Sequence, residues 1–204
     1  MEIRKATPED IDRISLIHSR ALPEAFLPRL GRRFLKRNFY PLALDDDLSI
    51  CLLAEDKNDV VGFVVLAYNS DLFNKLLQNK SSKNEIALSI FLRGFKDPGL
   101  YFQAYNILFN SKDEFEKISK IAIADIPGII IIATDPSNQG KGIGSALINE
   151  AVDFLNLNGK HTLCRVEGRT TQAIKFYEKN GFKKIGTQQR GKIVYSILIR
   201  SLVI

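Results

Sequence analysis

From residue 139 to residue 145 the chain reads Gln-Gly-Lys-Gly-Ile-Gly-Ser. Glycine at every second position leaves a segment that is almost all backbone, which suits contacts that a β-carbon would obstruct. The segment follows an isoleucine-rich run, residues 128–134. It opens a stretch in which Ile143, Leu147, Ala151 and Phe154 fall on one helical face. The first amides of a helix have no partners within it and sit at the positive end of its dipole, so they suit a phosphate. Gly140, Gly142 and Gly144 clear the approach, and Lys141 adds one mobile positive charge. The loop has the chemistry of a di- or polyphosphate site. The plain alternative is a tight turn that binds nothing.

Three ligands compete for such a loop. A P-loop needs glycine at position 135 and a hydroxyl at 142, where this chain has Asp135 and Gly142. The dinucleotide pattern G-x-G-x-x-G ends on Ser145 or Leu147 instead of glycine, although Glu167 stands about where a ribose-binding acid belongs. The third candidate is the pyrophosphate of coenzyme A.

The elements that would hold this loop can be read coarsely. Residues 2–6 read as a short strand. Thr7, Pro8, Glu9 and Asp10 then give a helix start, and the helix runs to about Leu22, before Pro23. His18 lies beside its apolar stripe and reads as structural. A second helix is expected over 28–40, ending before Pro41. Residues 49–55 and 60–67 read as strands joined by the polar Asp56–Asp59 connection, a hairpin. Residues 70–122 read as a helical insertion across one edge of the sheet. After it come a strand at 128–134, a helix at 142–157, a strand at 161–167, a helix at 171–179, and strands near 182–186 and 192–200. Strand, helix, strand implies a parallel pair, and the hairpins imply antiparallel neighbours, so the fold class is α/β with a mixed sheet. The whole reads as one domain, residues 1–204.

Composition narrows the function. The start of the chain is charged and has no apolar leader, and the longest apolar run is far too short to span a bilayer, so a cytoplasmic protein without membrane contact is expected. Cys51 and Cys164 sit alone in strand-like runs and read as buried thiols, with no metal-binding spacing. The net charge of +6 favours anionic partners. Nucleic acid is not expected, because the basic residues from Arg29 to Arg37 alternate with Leu30 and Phe34 as on a solvated helix face. The apolar terminal strand leaves a homodimer open.

Two motifs carry a resemblance. Gln139-Gly140-Lys141-Gly142-Ile143-Gly144 is similar to the [QR]-x-x-G-x-[GA] signature of the GNAT superfamily of N-acetyltransferases. VEGRTTQAIKFYEKNGFKKIG, residues 166–186, resembles that family's second motif, and the two come in family order and spacing. The resemblance implies a twisted, mostly antiparallel sheet of about seven strands, flanked by helices, in which one parallel pair splays apart. It implies acetyl-CoA as cosubstrate in that opening. The pantetheine arm would pair with the backbone of Ile132, Ala133 and Thr134, and the amides from Gln139 to Ser145 (Gln139, Gly140, Lys141, Gly142, Ile143, Gly144 and Ser145) would take the pyrophosphate. A primary amine, here read as one on a small molecule, would attack the thioester directly through a tetrahedral intermediate. An amide near Ala133 or Thr134 would face the oxyanion, and Tyr177 would protonate the departing thiolate, as a phenol of ordinary pKa near 10 can.

The chain departs from the family pattern twice. Thr170 stands where many members have asparagine bonding the pantetheine arm. Gly128 stands near the position of a glutamate that helps deprotonate the amine, which leaves Asp125 as the candidate base, with Glu55 and Asp135 behind it. Loss of that base is what an acyl-CoA-binding or sensing domain without catalysis would show. A nucleotide-dependent oxidoreductase is the remaining alternative.

Overall fold

A computed structural model describes residues 1–77, 80–94, 99–100, 126–158, 161–190 and 193–202. Seven strands form one sheet: β1 (Glu2–Lys5), β2 (Ser49–Asp56), β3 (Asp59–Ala67), β4 (Gly128–Thr134), β5 (Leu163–Gly168), β6 (Lys183–Arg190) and β7 (Ile193–Ser201). Their order is β1-β2-β3-β4-β5-β7-β6, and β4–β5 is the parallel pair among antiparallel neighbours. The mixed sheet with one parallel pair is the expected one. β2 and β3 are joined through Lys57 and Asn58, both at positive φ (51° and 64°), as a tight hairpin turn requires.

The helices differ from expectation in instructive ways. Thr7 and Asp10 close the first turn reciprocally: the Thr7 N–H donates to Asp10 Oδ2 at 2.8 Å and its hydroxyl to the same oxygen at 3.1 Å, while the Asp10 N–H donates to the Thr7 carbonyl at 3.0 Å. A 3-10 turn, Pro8–Asp10, leads into α1 (Ile11–Ala21). The expected helix over 28–40 is two pieces. α2 (Phe26–Leu30) ends at Gly31, whose φ of 98° breaks it, and α3 (Arg32–Phe34) follows. Pro41 does not stop the chain either. Residues Leu35–Phe39 widen into a π turn, and α4 (Tyr40–Ala43) continues with Pro41 in its first turn. The widened turn is how a helix passes a residue that lacks an N–H and crowds the carbonyl four residues back.

The described part of the insertion is helical: α5 (Ser70–Leu77) and α6 (Lys80–Gly94). It does not cross a sheet edge. Phe73, Leu77 and Ile86 join the core that α1–α4 make on one face of the sheet, because their apolar side chains find cover there and not at an edge. The remainder of the 70–122 stretch lies largely outside the described residues. α7 (Ile143–Asn158) and α8 (Thr171–Lys179) cover the other face.

The period of two along the strands sorts the two cores. Cys51, Leu53, Phe63, Val65 and Ala133 face α1–α6, whereas Leu52, Ala54, Val64, Leu66, Cys164 and Val166 face α7 and α8. The terminal strand is covered in part by the chain itself: β7 lies inside the sheet between β5 and β6, and Ile197 and Leu198 are buried, whereas Val194 is exposed. His18 is fully buried in the first core. Its Nδ1 is 3.0 Å from the Tyr40 hydroxyl, and the rings of Phe39, Tyr40 and Phe63 pack around it edge-on. Burial pushes its pKa down to about 3, so at neutral pH it is an uncharged structural group.

Candidate active site

The site is built on β4. On one edge this strand pairs with β3 from Gly62↔Thr134 to Ala67↔Gly128. On the other it pairs with β5 only at Gly128↔Arg165 and Ile129↔Val166. Between Val65↔Ile131 and Leu66↔Ile129 the residue Ile130 has no opposite number, so β4 carries a bulge where it parts from β5. A bulge bends a strand and adds twist, which turns the rest of β4 away. The result is a wedge between two strands that started as neighbours. The Asp135 N–H donates to the Val61 carbonyl on β3 at 2.8 Å. Peptide groups alternate in direction along a strand, so those of Ala133 also face β3, whereas those of Ile132 and Thr134 face the wedge.

The chain leaves β4 through a turn organised by Asp135. Asp135 is 1% exposed, and its carboxylate accepts from the Ser137 hydroxyl at 2.7 Å, the Ser137 N–H at 3.1 Å and Arg20 Nη1 at 3.1 Å. The Ser137 hydrogen bonds, with help from Arg20, hold its pKa below the usual carboxylate value. Asp135 is therefore an ionised anchor, unsuited to take a proton at neutral pH. After the 3-10 turn Pro136–Asn138, Gly140 and Gly142 adopt φ of 78° and 81°. A β-carbon on either would meet nothing within 4 Å, so these glycines serve the backbone path and leave open space before it. Gly144 is different: a β-carbon there would lie 3.0 Å from Phe176 Cζ, so it allows α7 and α8 to approach. The Gly142 carbonyl accepts the first bond of α7, from Ala146 at 3.0 Å, which leaves the N–H groups of Ile143, Gly144 and Ser145 unused by the helix. Gln139 Nε2 donates to the Thr134 carbonyl at 3.4 Å, and Lys141 Nζ to Asn138 Oδ1 at 2.7 Å. The exposed loop thus offers a ring of amides beside a flexible cation.

Opposite the loop stands α8. Thr170 caps it, its hydroxyl oxygen accepting from the Ala173 N–H at 3.1 Å. Gly168 lets α8 lie tight on the end of β5, since a β-carbon there would sit 2.9 Å from Ile174 Cγ1. Tyr177 is 8% exposed, packed against Phe176 and Phe182. Burial first, then the charges of Cys164 and Glu167, raise its pKa well above that of a free phenol, so it holds its proton. Cys164 is also buried, its thiol pushed up to about 12, and is inert as a nucleophile.

The sequence candidates for a base fare differently. Asp125 lies outside the described residues. Glu55 accepts from Arg4 Nε at 2.8 Å on β2, well apart in the sheet from the wedge. Sequence reasoning missed why position 128 is glycine: a β-carbon there would come within 2.6 Å of Ser70 Oγ, from α5, and 3.6 Å of Arg165 Nε. The basic stretch shares two carboxylates and keeps a net positive charge. Arg32 and Lys36 pair with Asp12, and Arg33 and Arg37 with Glu85. Among the described residues no cluster of three or more His, Cys, Asp or Glu could hold a metal, and no helix is long and apolar enough to cross a membrane.

This architecture, a seven-stranded mixed sheet split at its parallel pair with a glycine turn leading into a helix, matches the GNAT fold. The family model for the acetyltransferase (GNAT) domain matches residues 108–184, and over this part the chain resembles GNAT N-acetyltransferases. It is 35% identical over 68 residues to an uncharacterized N-acetyltransferase of Methanocaldococcus jannaschii, covering 33% of this chain and 30% of that protein. It is 34% identical over 67 residues to the mycothiol acetyltransferase of Beutenbergia cavernae, covering 32% and 23%. The chain thus spans under a third of the length of these curated relatives. Its fold matches the ribosomal-protein-S18-alanine N-acetyltransferase of Escherichia coli with a TM-score of 0.59 at 14% identity, over 100% of this chain and 94% of the other.

Proposed function

We propose that this protein is an N-acetyltransferase that moves an acetyl group from acetyl-CoA to a primary amine. The observation that carries this reading is the two-position pairing of β4 with β5: a sheet interior opened beside a phosphate-type loop and a protonated phenol. The pyrophosphate fits the loop on two counts, the unused N–H groups of Ile143, Gly144 and Ser145 and the open space before Gly140 and Gly142. Gln139 and Lys141 border the same ligand. The peptide groups of Ile132 and Thr134 face the wedge and would pair with the amides of the pantetheine arm, and Ala133 holds the strand to β3. Thr170 keeps its hydroxyl hydrogen available to that arm while its oxygen caps α8.

The chemistry follows from charge. An amine attacks the thioester carbon, negative charge grows on oxygen, and an amide from the open edge at Thr134 would stabilise it. The C–S bond then breaks, and Tyr177 gives its proton to the thiolate. No covalent enzyme intermediate is needed.

The test is an amine panel containing a free-N-terminal peptide, lysine and an amino sugar, with acetyl-CoA, reading free thiol by absorbance and product by mass. Thiol release should depend on the amine. Tyr177→Phe should slow it about 100-fold, the low end for a general acid, with coenzyme affinity nearly unchanged. Amine-independent release at one slow rate would instead identify a sensing domain. In a thermal-shift comparison, CoA at 100 times its dissociation constant should stabilise the fold by about 2.7 kcal/mol. Stabilisation by NAD with none by CoA would overturn the assignment.

A further inference from the structure

Acetyl transfer requires a group to take a proton from the attacking amine, which is mostly ammonium at neutral pH. We propose that Glu167, on β5, is that base. The proposal rests on the acyl-transfer reading above and names a residue for one of its steps.

Three observations place it. The first is register. Val166 is the last β5 residue paired with β4, opposite Ile129, so Glu167 is the first to border the wedge. The second is facing. Cys164 and Val166 lie in the α7–α8 core, so Arg165 and Glu167 turn to the opposite face of the strand. Tyr177 comes from the α7–α8 side. The two groups therefore approach the split between the strands from opposite faces, and they are near enough for the charge of Glu167 to raise the Tyr177 pKa. The third is the lack of room on β4. A side chain at position 128 would collide with Ser70 and crowd Arg165. The Asp135 carboxylate, beyond the far end of β4, is enclosed by Ser137 and Arg20.

The surroundings of Glu167 suit the task. Its side chain is 22% exposed, so it meets solvent and can pass a proton on. The charged or titratable groups facing it include Arg165 on its own strand, with Nη1 at 3.9 Å from Oε1, and Tyr177 on α8. Its cross-strand partner on β7 is the apolar Ile197.

The protons balance. Glu167 removes one from the ammonium and releases it to solvent. The neutral amine forms the C–N bond, and the C–S bond breaks as Tyr177 protonates the thiolate. The second proton leaves the amide nitrogen and restores the phenol, and the third stays as the amide N–H.

The experiment is a pH–rate profile of amine-dependent thiol release for wild type, Glu167→Gln and Glu167→Asp, with CoA affinity measured by calorimetry on each. Glu167→Gln should lower kcat/KM about 100-fold near neutrality. That deficit should shrink as pH rises toward the pKa of the amine, because the free amine then needs no base. CoA affinity should stay within about twofold, and Glu167→Asp, which keeps a carboxylate, should retain more activity than Glu167→Gln and carries the test if the glutamine variant does not fold. An unchanged rate in Glu167→Gln with active wild type overturns this assignment alone. So does a deficit that is constant with pH and matched by lost CoA affinity, the mark of a structural role. A wild type that binds CoA and acetylates no amine overturns the acyl-transfer reading and this one with it.

Discussion

Along its β3 edge β4 is in register at six positions; along its β5 edge it is in register at two. The strand is the same on both sides, Gly-Ile-Ile-Ile-Ile-Ala-Thr, so residue type does not account for the difference. The bulge at Ile130 does, because it takes up one residue on β4 alone and swings the strand away from β5. An unpaired backbone group costs about 1–3 kcal/mol when buried, so an apolar strand rarely leaves one edge open. An open edge in the middle of a sheet is a place where a ligand carrying its own amides can complete the ladder. The closed edge supplies the rigidity against which the open one is held: Val64, Val65, Leu66 and Ala67 of β3 are wholly buried behind it.

If the two edges divide stability from binding, the largest effect should come from the closed side. Phe63 of β3 is fully buried and packs against the rings of His18 and Tyr40 at 5.8 and 5.9 Å. Phe63→Ala should cost about 3–5 kcal/mol of unfolding free energy by chemical denaturation. The folded fraction should bind CoA with nearly wild-type affinity. A large loss of affinity in a protein that is still folded would mean the edges are mechanically coupled and the division fails.

A second, smaller effect on the same side is set by pH. The folded protein holds the His18 pKa near 3, below the ordinary 6.5, so between these values the unfolded chain binds a proton that the native one refuses. Stability is then complete above about pH 6.5 and falls by roughly 1.4 kcal/mol per unit as pH drops toward 3, or about 2 kcal/mol by pH 5. The carboxylates with lowered values, Glu9, Asp10, Asp12 and Asp135, add acid sensitivity only at and below the carboxylate range, so the upper part of the slope isolates the histidine. Replacing His18 with glutamine should flatten the profile between pH 6.5 and 5. An unchanged slope would place the acid-sensitive group elsewhere.

What was legible in the sequence followed the same division. The strands and helices from Gly128 onward were readable because local signals agreed: β-branched runs, a capping Thr170, and Gly181 at φ 82° just after α8. The glycine loop announced backbone contacts by removing side chains. The N-terminal helices were less legible because Pro41 reads locally as a stop, whereas a π turn, which has no sequence signature, carries the chain past it. The cover for β7 was hidden for a related reason: its neighbours β5 and β6 are set by long-range pairing, not by the apolar run itself. The wedge was anticipated from family resemblance alone. No residue in 128–134 says that Ile130 will bulge, nor that Gly128 makes room for Ser70 and Arg165.

The open side offers the finest test of the comparison, because two glycines two residues apart should fail for different reasons. At Gly142, φ is 81° and a β-carbon meets nothing, so Gly142→Ala strains only the backbone, by about 1–2 kcal/mol. Its new methyl group projects into the space assigned to the pyrophosphate, so CoA affinity should fall at least tenfold, about 1.4 kcal/mol. At Gly144 the φ is not positive, and the obstacle is Phe176 Cζ at 3.0 Å. Gly144→Ala should therefore lower stability through the α7–α8 contact and weaken CoA binding less than Gly142→Ala does. Calorimetric affinities and denaturation midpoints on the two variants check both halves. If Gly142→Ala destabilises the fold as expected and yet binds CoA like wild type, the amides of this loop are not where the phosphates rest, and the open edge of β4 would need another occupant.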